Sequence, residues 1–340
     1  MKHAALDVLG NGAFRARRGV ALGLASVFVA LLGGLGANAS AQYPDKVVRV
    51  VVPFGPGGST DAVARTASQR LAEYWGKPVI VENKPGGNGT VGTAGVAKGP
   101  ADGYTILMGV FAHAVIESLY KTTPYKLERD FIPVIEIGKT PQLLLVHPSV
   151  PASNVSELIG LLKAQPGKLN FGSGGNGSAS HMASELFLAM SKTSAAHVPY
   201  KSSGQALNDL AGGQIQFMFD SVFTSLPLVK AGRLKAIGVS TARRTNLVPD
   251  IATVSESGIP GYESSVWFGF FVPTGTPKEI VAKLNTDLAA TLKAPAVREV
   301  LLGQGLEVVA GTQDEFAATV KGEVDKWRTV IEQNGIKADN

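Results

Sequence analysis

From residue 47 to residue 61 the chain reads VVRVVVPFGPGGSTD, an apolar run that empties into a glycine-rich turn and then into hydroxyl-bearing and acidic residues. Residues 47–54 are apolar on both alternations. Such a strand has to be covered on both faces, which a parallel sheet flanked by helices provides. Residues 60–75 then repeat Val63, Ala67 and Leu71 at helical spacing, which predicts a helix directly after the turn. The same order recurs downstream. Strands are predicted at 79–82, 104–110, 143–147 and 169–172, and helices at 153–164, capped by Ser153, and 178–190. The pattern continues through 205–210, 215–219, 225–231 and 235–240, and the last third is helix-rich at 277–301 and 313–332. This alternation predicts an α/β protein with helices on both faces of its sheets. Two sheet-building blocks imply two lobes, with residues 142–147 and 267–273 as crossing strands. The first lobe would be discontinuous (42–142 plus 266–340), and the second (143–265) inserted.

The formal charge of +5 raises the question of a nucleic-acid partner. The excess sits at the N-terminus. Lys2, Arg15, Arg17 and Arg18 stand there against Asp7 alone, leaving 28 basic and 26 acidic residues in the remainder. No basic stripe is left to grip phosphates. Residues 1–41 read as a secretion signal: the arginines precede an uncharged apolar stretch (19–36), and Ala39-Ser40-Ala41 fits the small-x-small cleavage rule. Gly23, Gly33, Gly34 and Gly36 make the stretch weakly hydrophobic, which argues against a retained anchor. The Arg17-Arg18 pair raises twin-arginine export, but its surroundings fit that signal poorly. The mature protein is expected in the periplasm. The chain has no cysteine, which excludes disulfides, thiolate metal sites and Cys nucleophiles.

Function is expected where strands empty into glycine-rich helix starts. Residues 53–61 free backbone N–H groups beside Ser59 and Thr60, a neutral site for an anion unless Ser59 or Thr60 merely caps the helix. Residues 172–181 (GSGGNGSASH) repeat the arrangement, and 83–90 form a third glycine-rich loop. Two of these loops satisfy G-x-G-x-x-G (87–92 and 172–177), but neither is followed by an acid placed to hold a ribose, so no dinucleotide cofactor is expected. No G-x-S-x-G elbow occurs, and Ser178, His181 and Asp220 resemble a triad only in residue type; Ser178 reads as a cap and His181 as partly exposed. The five histidines are dispersed, so no metal is expected. Asp220 ends a strand, where it caps a helix or meets a ligand.

The ordered segments Tyr43-Pro44, VVVPF (50–54), PGGSTD (56–61), VENKPGG (81–87), DGYT (102–105), NFGSG (170–174), VPYK (198–201) and Phe219-Asp220-Ser221 are similar to those of tripartite tricarboxylate transporter substrate receptors of the Bug type. The resemblance implies a type II periplasmic-binding-protein fold, two α/β lobes joined by crossing strands around a ligand cleft. It implies a monomeric receptor that is no enzyme and hands a small organic carboxylate to a membrane permease. Carried over position by position, the substrate-binding residues would be Phe54, Ser59, Thr60, Gly89, Ser173, Asn176, Gly177, Ser178, Tyr200 and Asp220. A periplasmic sensor and a serine hydrolase are the alternatives. The chain departs from the family at 110–117 (VFAHAVIE), where relatives often read Thr-His-Ala-Ile-Asn-Pro, and this tilts the expected pocket towards apolar. Phe54, Phe111, Phe223 and Trp267 would line it, with Lys84 and Lys201 near the loops. A mono- or dicarboxylate with an apolar or aromatic body is expected over citrate, with an amino acid paired to Asp220 as runner-up.

Overall fold

The computed structural model describes residues 43–120 and 122–336, so the expected signal segment and its cleavage after Ala41 lie outside the described residues. In chain order, β1 (Val48–Val52) leads into α1 (Ser59–Trp75), β2 (Val79–Asn83), α2 (Thr90–Ala97), β3 (Thr105–Val110), α3 (Ala112–Leu119) and the short α4 (Leu127–Asp130). β1 pairs in parallel with β2 and β3, so the apolar run that opens the domain lies between two parallel neighbours. Its residues Val48, Val50, Val51 and Val52 are buried on both alternations.

The long β4 (Phe131–Val146) follows, then α5 (Val155–Ala164), β5 (Asn170–Ser173), α6 (Ala179–Ser191), β6 (Ala196–Pro199), α7 (Ser203–Ala211), β7 (Phe217–Ser221), α8 (Val222–Lys230) and β8 (Lys235–Val239). The chain ends with β9 (Ser265–Pro273), α9 (Lys278–Leu292), α10 (Pro295–Gly303), β10 (Glu307–Val308) and α11 (Gln313–Asn334). The strands run β2-β1-β3-β9-β4-β7-β5-β6, with β8 and β10 also on β4. Residues 131–141 of β4 pair antiparallel with β9, and residues 142–146 pair with β7 and β8. One strand thus belongs to two sheets. The change of neighbours is sealed by buried hydrogen bonds: Gln142 N donates to Ser240 Oγ, Ser240 N to Gln142 O and Ser264 N to Ser240 O, each at 2.9 Å. Beyond it Leu143 and Leu145 join a cluster with Leu207, Leu210 and Met218, while Leu144 and Val146 face Leu158, Leu162 and Phe187. The strand alternation covers both faces of the second sheet with helices.

Several sequence expectations shift. Asn154, not Ser153, caps α5, its side chain accepting from Glu157 N at 2.9 Å. Gly58 caps α1 without a side-chain bond, so Ser59 is the first helical residue and neither Ser59 nor Thr60 is the cap. The expected helix 277–301 is two helices, because Pro295 opens α10. Residues 267–273 do not cross between sheets; they lie wholly in the first, paired with β3 and β4. Residues 131–141 escaped notice as a strand because Pro133, Glu136, Gly138 and Lys139 interrupt the apolar pattern, and two register shifts absorb that irregularity.

The turn after β1 is braced from within. The buried carboxylate of Asp61 accepts from Gly57 N (3.0 Å), Arg65 Nε (2.9 Å) and Asn83 Nδ2 (2.9 Å), while Asn83 also donates to Phe54 O (3.1 Å). The Arg65 bond chiefly, with the Gly57 and Asn83 bonds, holds Asp61 down to about 2 despite its burial. Because the folded value lies below the unfolded carboxylate's, the stabilisation is present above pH 4 and is lost as pH falls towards 2. Asp61→Ala should therefore cost about 1–3 kcal/mol at pH 7. Denaturant titrations of both proteins should show this gap closing between about pH 4 and pH 2, and a gap independent of pH would refute the bracing role.

Candidate functional site

A cavity of about 360 Å³ lies where the two sheets meet on β4. Thr140 and Gln142 reach it from β4, and Val266 and Phe268 reach it from β9. The remaining lining is dominated by helix starts. Gly58 and Ser59 open α1, Ala179 and Ser180 open α6, Ser203 opens α7, and Ser221, Phe223 and Thr224 open α8. Each strand before these helices ends at the sheet edge, so the chain must turn there and expose the unpaired N–H groups of a first helical turn. A helix N-terminus carries roughly half a positive charge, so these four starts favour an anion with no basic side chain among the described lining residues. The sequence led us to expect two such ends.

Asp220 is the lone ionisable side chain among the described lining residues. It sits on β7, 4% exposed, and its carboxylate accepts from Thr224 Oγ1. Burial pushes it up to about 6, against the hydroxyl bonds that favour its charged form. Asp220 is not the cap of α8. Ser221 is, its side chain accepting from Phe223 N at 3.3 Å.

The expected substrate-binding residues divide. Ser59 and Asp220 line the cavity. Thr60 follows Ser59 in α1. Ser178 caps α6 by accepting from His181 N (3.3 Å), and its hydroxyl pairs with that of Ser180 (3.1 Å), which faces the cavity. The others hold loops rather than line this space. Ser173 Oγ accepts from Gly175 N (3.1 Å) and meets His197 Nε2 (2.6 Å). Tyr200 donates its hydroxyl to Asp209 (2.8 Å). Phe54 abuts Gly89, where a Cβ would come within 3.0 Å of its ring. Gly177 has φ +75 and lies so close to Leu119 that a Cβ would fall 2.6 Å from its Cδ2. Asn176 lines a separate polar pocket with His181, Glu185 and His197.

Further corrections concern the apolar wall. Phe111, Ile116 and Trp267 are buried in the core, Phe111 against Trp327 and Trp267 against Phe316, and none lines the cavity. The unusual 110–117 segment therefore does not set the cavity's character. Val266, Phe268 and Phe223 supply its apolar surface instead. Lys84 pairs with Glu82 (3.2 Å), and Lys201 is exposed. His181 is buried, not partly exposed. Its Nδ1 takes the Gly177 N–H (3.1 Å) and its Nε2 faces Glu185 (3.6 Å), so the ring is not aimed at Ser178 as a base. Thr140, Gln142, Ser180, Ser203, Phe268 and Gln304 were not anticipated. Ser203 carried a readable signal, since Ser202-Ser203 opens a helix after a strand as Ser59-Thr60 does.

This geometry has relatives. A family model described as "Tripartite tricarboxylate transporter family receptor" matches residues 63–336. The chain is 33% identical over 318 residues to Protein BugT of Bordetella pertussis, covering 93% of this chain and 98% of that one. It is 35% identical over 298 residues to the UPF0065 protein of the tcbD-tcbE intergenic region of Pseudomonas sp. strain P51, covering 87% and 89%. Among solved structures, R. palustris Rpa4515 with adipate superposes with a TM-score of 0.78 at 37% identity, covering 87% of this chain and 100% of that one. MatC from Rhodopseudomonas palustris with bound malate gives 0.74 at 33%, covering 85% and 100%. The fold is that of periplasmic binding proteins, two α/β lobes with the cleft between them. The chain belongs to the tripartite tricarboxylate transporter receptor family, a family of solute receptors and not of enzymes.

Proposed function

We propose that the chain captures a small organic carboxylate in the cavity between β4, β9 and the four helix starts, and delivers it to a tripartite tricarboxylate-type membrane permease. The observation that carries this reading is a cavity lined by four helix N-termini, with no basic side chain among its described lining residues. Backbone N–H groups and hydroxyls favour an anion there. The relatives solved with adipate and with malate support the ligand class. Val266, Phe268 and Phe223 favour a ligand with an apolar body between or beyond its carboxyl groups. A volume of about 360 Å³ suits a molecule of that size.

On this reading Ser59, Ser180 and Asp220 face the ligand, with Thr60 and Ser178 beside them. Phe54, Gly89, Ser173, Asn176, Gly177 and Tyr200 shape the loops that present those groups. We assign residues 42–142 and 266–340 to one lobe and 143–265 to the other, because β4 changes neighbours between Pro141 and Gln142 and β9 begins at Ser265. The receptor acts as an exported monomer in the periplasm, after removal of residues 1–41.

A thermal-shift screen of the purified mature chain tests the ligand class. Adipate-like dicarboxylates or aromatic acids should raise the melting temperature and be recovered unchanged, whereas a response confined to citrate or to non-acids would contradict the reading. Ser59→Ala separates binding from folding. Ser59 is exposed and is not a cap, so the melting temperature of the free protein should stay constant. Affinity for the best acid should fall about fivefold, the loss of one hydroxyl bond worth about 1 kcal/mol. Unchanged affinity in calorimetry would remove the start of α1 from the site.

A further inference from the structure

Among its described lining residues the cavity presents the buried carboxylate of Asp220 and no basic side chain, so an anionic ligand meets a like charge there. Asp220 is 4% exposed. The other described residues that line the cavity with it are uncharged. α8 brings Thr224 and Ser221, α7 brings Ser203, β4 brings Thr140 and Gln142, and α6 brings Ser180. Asp209, the acid of α7, is turned away to the Tyr200 hydroxyl. A ligand carboxylate seated against the buried Asp220 carboxylate, with no basic side chain among the described lining residues, meets a like charge at close range, and two such groups characteristically share one proton.

We propose that Asp220 takes up a proton when the ligand enters and donates it as an O–H bond to a ligand carboxylate, so that carboxylate capture is coupled to proton uptake. This rests on the carboxylate-receptor reading above. The balance is simple. One proton passes from solvent to an oxygen of Asp220, no covalent bond of the ligand changes, and the complex carries one negative charge fewer than the separate anions. The helix starts then hold the ligand's remaining charge. The residue also sets specificity. It selects against ligands whose two ends must both stay fully ionised and solvated, and it favours acids that present one carboxylate to an O–H donor.

Burial already pushes Asp220 up to about 6 in the free protein, so it is mostly ionised at pH 8 and the coupling is measurable there. Calorimetry of adipate binding to the mature chain, in buffers of different ionisation enthalpy, reads the proton directly. At pH 8 close to one proton should be taken up per ligand bound, falling towards zero near pH 5. Affinity should drop as much as tenfold per pH unit above pH 7, following the protonated fraction of Asp220. In Asp220→Asn, which cannot titrate, uptake should vanish, and binding should be independent of pH and tighter than wild type at pH 8. Adipate binding without proton uptake in the wild-type protein overturns the inference alone, whatever the variant does. Abolished binding of adipate in a folded Asp220→Asn protein, with amino acids bound by the wild type, also overturns it in favour of an ionised Asp220 paired with an ammonium group. Failure of adipate, malate and aromatic acids to bind at any pH from 5 to 8 overturns the receptor reading together with it.

Discussion

The site depends on one strand that serves two sheets. β4 spans 16 residues and exchanges β9 for β7 and β8 between Pro141 and Gln142. Such a strand spans both halves of the molecule, at roughly 3.3 Å per residue. It fixes where the helices of one sheet start relative to those of the other. The cavity lies at the changeover, and Thr140 and Gln142 of the strand form part of its wall. The same point is where Ser240 and Ser264 tie the returning chain to β4 through buried backbone bonds. If the two halves move relative to one another, the motion is absorbed next to this cavity. This is the arrangement a receptor needs if closure is to depend on occupancy.

Electrostatics at the site come from the backbone. Four helix starts supply positive potential without the desolvation that a buried lysine or arginine would entail. Their cost is that every loop must be held in register. The structure meets it with local braces: Asp61 gathers Gly57, Arg65 and Asn83, and Thr93 Oγ1 donates to Gly89 O (2.8 Å). His113 completes the second brace. Its Nε2 lies 2.9 Å from Thr93 Oγ1, and its Nδ1 lies within hydrogen-bond distance of both Val110 N (3.1 Å) and Val110 O (3.0 Å). Burial pulls this histidine down to about 4, so the brace stays neutral across the physiological range.

Much of this was legible in the chain. The alternation of elements, the buried β1 and the glycine-rich helix starts at 55–60 and 172–178 carry short-range signals, and the family resemblance rested on the same segments. What was hidden is long-range. No local pattern says that Ser180 and Ser203, on successive helices, come to face Ser59 across the cavity, nor that Gln304 joins them from near the C-terminus. Phe111 belongs to the core and not to the cavity wall, a distinction hidden because an apolar residue near a loop looks alike in sequence whether it faces a ligand or the core; the packing of α11, through Trp327, decides for the core. The partner of the Tyr200 hydroxyl, Asp209 on the following helix, is equally invisible to a local pattern.

The account stands on the claim that a ligand carboxylate is held by helix starts and not by basic side chains. A crystal structure of the mature chain with adipate bound would test it most directly. One carboxylate is expected within about 3 Å of backbone N–H groups at residues 58–59 or 179–180, the range of charge-assisted hydrogen bonds, with no lysine or arginine in contact. A carboxylate paired with Lys84 or Lys201, or seated away from the start of α1 and the start of α6, would contradict it.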